Sequence, residues 1–241
     1  MTEEAQEQKN EKFIKEPVND AESCIIKAQA VEDERNMSNT TDAYINSFKG
    51  AIPLYQKAIE AVQADPDANV LLGRAYIALE KYQDAITVLE QYIKSVADDE
   101  YAHYYLGRAY YGVGNYEKAK EILEKGIALC EANKDSDETR YRYYKWSYWH
   151  EEYPQVRFAL QHFLGNSLKA QKKYTEALTY YQQALERISS EDRAKNEGFY
   201  YYVIGELYWL MGDKENAEKT LNELRSKGFK AWTQGLAELM K

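Results

Sequence analysis

The sequence predicts an all-α protein, an α-α superhelix of about five helix–turn–helix units with a capping helix at each end. Three observations carry that expectation. Only four prolines occur in 241 residues, while Ala, Leu, Glu, Lys and Gln, the strongest helix formers, are abundant. Five segments align: NSFKGAIPLYQKAIE (46–60), EKYQDAITVLEQYIK (80–94), GNYEKAKEILEKGIA (114–128), KKYTEALTYYQQALE (172–186) and GDKENAEKTLNELRS (212–226). Upstream of the last four lie LLGRAYIAL (71–79), YLGRAYYGV (105–113), FLGNSLKAQ (163–171) and VIGELYWLM (203–211).

The two sets of markers keep one period. Ala51, Ala85, Ala119, Ala177 and Ala217 are separated by 34, 34, 58 and 40 residues, and Gly73, Gly107, Gly165 and Gly205 by 34, 58 and 40. This is a single 34-residue repeat with insertions of 24 and 6 residues. Gly and Ala at such positions let helix axes approach, because a larger side chain would hold them apart. A repeat cannot bury its outer faces alone, so stacking and terminal caps are required.

Taken in order, residues 1–18 are expected to form a disordered acidic tail, being rich in charge and poor in apolar groups. Residues 19–65 hold the N-terminal cap helix and a degenerate first repeat. There Ala21, Ile25, Ala28 and Val31 form an apolar stripe, and MSNTTDAYIN reads as a long loop. Pro53 lies several residues inside the next helix, where it should kink or shorten it.

Residues 66–133 form repeats two and three, with Asp65 as N-cap acceptor and Pro66 at the first helical position, where the missing N–H costs nothing. In the helix at 101–113, Tyr101, Tyr104, Tyr105 and Tyr111 lie on one side, with Leu106 and Tyr110 on an adjoining one. Two apolar sides suit a helix with two neighbours. Residues 158–231 form repeats four and five, and Gly114, Asn115 and Gly212 mark turns. Residues 232–241 form the C-terminal capping helix, with Trp232, Leu236, Leu239 and Met240 on one face.

Between repeats three and four, residues 134–157 form an aromatic insert containing YRYYKWSYWHEEY at 141–153. At helical pitch, Tyr141, Tyr144 and Tyr148 share one face, and Trp146, Trp149 and Tyr153 share another. The spacing therefore predicts a two-faced helix, kinked at Pro154 and running on into repeat four. A β-hairpin is the alternative, since Tyr144, Trp146 and Tyr148 also alternate and aromatic residues favour strands. Such rings either fill the joint between repeats three and four or stand exposed as a second contact surface for a partner.

The pattern resembles the tetratricopeptide repeat family, whose unit is a 34-residue helix–turn–helix. The matching residues are Leu72, Gly73, Tyr76, Ala85 and Leu89 in repeat two, and Leu106, Gly107, Tyr110, Ala119 and Leu123 in repeat three. Repeat four supplies Leu164, Gly165, Leu168, Ala177 and Tyr181, and repeat five Ile204, Gly205, Tyr208, Ala217 and Leu221. The resemblance implies a concave groove lined by one face of each first helix. Carried over position by position, that lining is Asp67, Val70, Arg74 and Ile77, then Tyr101, Tyr104, Arg108 and Tyr111. It continues with Ala159, His162, Asn166 and Lys169, and ends with Phe199, Tyr202, Glu206 and Trp209. Tyrosine, tryptophan and arginine at such a surface supply large contact area and bidentate hydrogen bonding. Some of these tyrosines are expected to pack between repeats instead. Family members that grip a C-terminal carboxylate do so with Lys and Asn where this chain has Val70, Tyr104, Asp67 and Tyr101, so a chaperone-tail adaptor is disfavoured.

Other function classes are set aside on chemical grounds. A formal charge of −9 with no Lys/Arg cluster argues against nucleic acid. No apolar run is long enough for a membrane span. MTEEAQEQKNEKFIKEP lacks the apolar core of a secretory signal. The expected compartment is the cytoplasm, or the periplasm or envelope if a signal was trimmed. Cys24 and Cys130 have no metal or disulfide spacing, and His150-Glu151-Glu152 has no second His on its face. No catalytic set or cofactor is expected. The expected function is a non-enzymatic scaffold that binds a peptide segment of a partner protein. The alternatives are a self-assembling structural protein, making homo-oligomers, or a cell-envelope assembly factor.

Overall fold

The computed structural model describes residues 20–33, 41–61, 67–132, 156–187 and 190–241. Every regular element among them is a helix. In chain order these are α1 (Asp20–Asp33), α2 (Thr41–Glu60), α3 (Asp67–Ala78), α4 (Tyr82–Ser95), α5 (Glu100–Gly112) and α6 (Tyr116–Ala132). They continue as α7 (Val156–Ala170), α8 (Tyr174–Arg187), α9 (Ser190–Leu210), α10 (Lys214–Ser226) and α11 (Lys230–Leu239).

Consecutive helices pair into hairpins α1/α2, α3/α4, α5/α6, α7/α8 and α9/α10, and the first helices α3, α5 and α7 also touch in series. The hairpins close because small residues meet large ones sixteen positions on. A β-carbon built on Gly73 would lie 2.6 Å from Leu89 Cγ, and one on Gly107 2.4 Å from Leu123 Cδ2. One on Gly165 would lie 3.0 Å from the Tyr181 ring. Ala85, Ala119 and Ala177 are completely buried, as the axis-approach argument requires.

The turns obey one rule as well. Asn115 N donates to Tyr110 O and Gly114 N to Tyr111 O; Lys173 N donates to Leu168 O and Lys172 N to Lys169 O. Asp213 and Gly212 repeat this on Tyr208 and Trp209, and Lys81 and Glu80 on Tyr76 and Ile77. This paired closure satisfies carbonyls that a helix end leaves open, and it needs one residue in the left-handed region. Gly114 and Gly212 sit there at φ +79°, whereas Glu80 at +57° and Lys172 at +60° do so with side chains.

One apolar core runs from α3 to α9, with smaller clusters at each end. At the front, Ile25 and Ala28 of α1 are completely buried in a cluster with Phe48, Ala51 and Tyr55 of α2. The stripe in 19–36 thus supplies the first helix of repeat one. Two expectations for this region are corrected. MSNTTDAYIN is not all loop, because α2 begins at Thr41. Nor does Pro53 shorten its helix, which runs on to Glu60. The hydrogen bond it forgoes would go to the carbonyl of Lys49, and both residues are exposed, where an unpaired carbonyl costs least.

Two further points concern the C-terminal half. The six extra residues before repeat five lengthen α9, which starts at Ser190, well ahead of Gly205. The C-terminal stripe splits: Leu236 is completely buried, but Trp232 and Leu239 remain 36% and 39% exposed. Asp65, Pro66, the N-terminal tail and the aromatic insert up to residue 155, including Trp146, Trp149, Tyr153 and Pro154, lie outside the described residues, while Val156 and Arg157 open α7. Even so, the joint between repeats three and four is closed by described side chains. Leu160 packs on Gly126, Arg157 pairs with Glu131, and Tyr104 meets Phe163 with centroids 5.8 Å apart.

Candidate functional site

Positions i, i+3, i+7 and i+10 of a helix share one face, and the four first helices carry the expected lining at those positions. The structure sorts that lining into three groups. Val70, Arg74, Ile77 and Tyr104 are buried, at 0%, 8%, 5% and 4% exposure. Arg74 lies 5.9 Å over the Phe48 ring, so it belongs to the joint between repeats one and two. Tyr104 is wedged between Tyr105 and Phe163.

A second group forms a connected centre. The Arg108 guanidinium stands 5.1 Å over the Phe163 ring and 5.7 Å over the Tyr104 ring, and donates to the Tyr104 hydroxyl at 3.2 Å. Tyr111 meets Phe163 edge-on at 6.0 Å and Tyr116 at 5.5 Å. Next to it, His162 Nδ1 lies 2.8 Å from the Tyr200 hydroxyl, and His162 Nε2 lies 3.0 Å from Asn166 Nδ2. The Tyr181 hydroxyl donates to Asn166 Oδ1. Burial and then the Arg108 charge push the His162 pKa down to about 4, so the imidazole is neutral at pH 7. Burial likewise raises the phenols of Tyr181 and Tyr200.

A third group lies toward the ends. Lys169 of α7 pairs with Glu206 of α9. Tyr101 is half-buried, and its phenol is raised chiefly by burial. Tyr202 packs against Trp232 at 5.6 Å and near Gly235, so the last helix covers part of it. Trp209 is half-buried with the Lys214 ammonium 5.6 Å over its ring.

Sequence reasoning did not single out Phe163, Tyr181 or Tyr200 as members of the centre. Phe163 follows His162 directly and is turned toward α5, while Tyr181 occupies a packing position of the repeat pattern. Only the position beside a groove residue, in the tetrapeptide FLGN, pointed to Phe163. Among the described residues no group of His, Cys, Asp and Glu has a metal-binding arrangement, and no helix is long and apolar enough to cross a membrane.

Hairpins stacked in series, closed by Gly-to-Leu contacts and sharing one aromatic face, define an α-helical repeat protein. The chain belongs to the tetratricopeptide repeat family. Models described as tetratricopeptide repeat match residues 156–226 and, in overlapping placements, 46–106 and 80–129. Similar solved structures include MamA, residues 41 to end, from Desulfovibrio magneticus RS-1. It is 16% identical, with a TM-score of 0.63 over 87% of this chain and 96% of that one. The nearly identical TPR-like repeats of a Podosopora anserina protein assigned as a kinesin light chain align at 18% identity and TM-score 0.60, covering 89% and 98% of the two chains. MamA of AMB-1 aligns at 22% identity and TM-score 0.58, covering 86% and 96%. At these identities the likeness is one of fold. No curated protein matches the sequence.

Proposed function

We propose that this protein is a non-enzymatic adaptor that holds a peptide segment of a partner protein against the shared face of its first helices. The observation that carries the reading is Arg108, which spans two repeats. It leaves α5, stacks on Phe163 of α7 and is steadied by the Tyr104 hydroxyl. A cation flanked by rings holds its orientation before a partner arrives, which lowers the entropy lost on binding. Arginine and aromatic anchors near the middle of a surface are the usual source of binding energy. Tyr101, Tyr111, His162, Asn166, Lys169, Tyr202 and Trp209 extend the same face along the stack. Arg74 and Tyr104 support it from below.

The test uses a partner identified by co-purification from the native host. Arg108→Ala combined with Trp209→Ala should reduce its affinity at least tenfold while helical circular dichroism and melting stay near wild type. Unchanged affinity in a folded double variant would reject this face as the binding surface. Self-association is the second reading, favoured by the exposure of Trp232 and Leu239 on the last helix. Light scattering at high concentration separates the two, because a monomer that still binds its partner leaves only the adaptor.

A further inference from the structure

Repeat five departs from the closing rule of the others. At Gly205 the nearest side chain is not the one sixteen positions on: a β-carbon there would meet Leu236 Cδ2 at 2.5 Å and Thr220 Cγ2 at 3.3 Å. The six extra residues ahead of repeat five lie within α9, which starts at Ser190 just after α8 ends at Arg187. The joint between repeats four and five belongs to the common apolar core, and polar side chains of α7, α8 and α9 add ties across it.

The orientations along that joint have one sense. The Tyr181 hydroxyl donates to Asn166 Oδ1, and the Asn166 amide nitrogen then faces His162 Nε2. An amide N–H donates, so Nε2 accepts and the ring proton resides on Nδ1. From there it donates to the Tyr200 oxygen. We infer that Tyr181, Asn166, His162 and Tyr200 form a directional latch that joins α8, α7 and α9 while His162 is neutral, and that acid releases its α8 end.

Protonation puts a donor on both ring nitrogens. Nε2–H would then face the Asn166 N–H, so the amide has to turn over; the Tyr181 proton then loses Oδ1 as its acceptor, while Nδ1–H keeps its bond to Tyr200. The surroundings give the new charge little support. The imidazole is walled by Phe163 at 5.1 Å, Phe199 at 5.6 Å, Tyr200 at 5.8 Å and Tyr181 at 6.2 Å. The charged groups on this side are Arg108 of α5, which opposes a second cation, and the Lys169–Glu206 pair of α7 and α9. Tyr181 and Tyr200 remain neutral phenols throughout the acid range, being raised by burial.

The sign follows from linkage. Unfolded His162 binds its proton near pH 6.5 and the folded one near 4. Between those values the unfolded state holds more protons, so stability falls as pH falls. The contribution from His162 is present above pH 6.5 and lost by pH 4, which raises the unfolding constant by about a hundredfold. This property belongs to the stack and does not depend on the groove holding a peptide.

Nitrogen-15 NMR of the wild-type ring decides the direction. At pH 7, Nδ1 should be protonated and Nε2 of the unprotonated type; the opposite tautomer, or a charged ring, overturns the latch. Hydrogen-exchange protection factors should fall in α8 more than in α3 between pH 7 and 4, and an equal fall overturns it too. His162→Gln keeps a donor and an acceptor but cannot charge. Its stability should lose the hundredfold acid dependence relative to wild type, and a wild-type slope would reject the inference. If that variant does not fold, the wild-type NMR and exchange results still decide.

Discussion

Gly107 and Leu123 are in contact across the α5/α6 hairpin so closely that a β-carbon on Gly107 would lie 2.4 Å from Leu123 Cδ2 and 2.5 Å from its Cγ. The branch carbon cannot swing away as a chain end can, so Gly107→Ala forces the helices apart. The expected loss is about 1–3 kcal/mol in urea denaturation, the usual cost of overpacking. The sign should reverse beside Leu123→Ala. With the clash gone, the same alanine gains roughly 0.5–1 kcal/mol of helix propensity. A glycine replacement that costs the same in both backgrounds would mean that the contact does not set the hairpin spacing.

Asp99 opens α5 as its N-cap. Oδ1 accepts from Tyr101 N at 2.8 Å and Ala102 N at 3.0 Å, and Oδ2 accepts from the Tyr92 hydroxyl at 2.8 Å. Burial raises its pKa in spite of these bonds. Stability from this group is therefore highest while the carboxyl is protonated, and declines as pH rises past the unfolded value of 3.8. Asp99→Asn retains the acceptor without the buried charge and should cost under about 0.5 kcal/mol at pH 7. Asp99→Ala loses the cap and strands Tyr92, for roughly 1–2 kcal/mol. Equal losses for the two would show that the charge, not the cap geometry, matters.

These two sites also mark how far the sequence could be read. Gly107 and Ala119 were legible because close axes tolerate only small residues, and that demand recurs at Gly73 and Gly165. The glycine turns were legible for a different reason, since a left-handed residue is needed to close the helix end at Gly114 and Gly212. The shared face was legible as a set of positions, but its depth was not. Arg74 and Tyr104 turn out buried because Phe48 and Phe163, contributed by neighbouring repeats, close over them. No local pattern encodes which ring of the next repeat will reach across. Phe163 escaped notice likewise: its partners Tyr104, Arg108 and Tyr111 belong to α5, a long way back along the chain.

Lys172 occupies the left-handed position of the α7/α8 turn at φ +60°, where the α5/α6 and α9/α10 turns have Gly114 and Gly212. A β-carbon is strained there, by about 1 kcal/mol. Part of the relief is returned as unfolded-chain entropy, so Lys172→Gly should stabilise by a few tenths to about 1 kcal/mol. Glu80→Gly, in the α3/α4 turn at φ +57°, should act in the same direction. Thermal melts of both variants check this, and a drop in melting temperature for either would show that its side chain makes a compensating contact.

Replacing the connection from α6 to α7 is expected to leave the repeats stacked. Leu160 on Gly126, Phe163 against Tyr104 and Tyr111, and the Arg157–Glu131 pair already close that joint. On the outside, Lys173 reaches Glu117 at 3.1 Å and Lys120 reaches Glu176 at 3.7 Å. Those exposed pairs add little by themselves, well under about 1 kcal/mol each, so the apolar contacts must carry the joint. The α4-to-α5 connection, residues 96–99, spans the equivalent gap with VADD. Substituting VADD for residues 133–155 should therefore preserve cooperative unfolding and helical circular dichroism, with stability within about 1 kcal/mol of wild type. The shorter loop also lowers the closure entropy slightly, by roughly 1 kcal/mol or more for a several-fold length change. Separate melting of the two halves would mean that YRYYKWSYWHEEY supplies packing that the joint cannot do without. A stable chimera that fails to bind the partner would instead assign those aromatic residues to recognition.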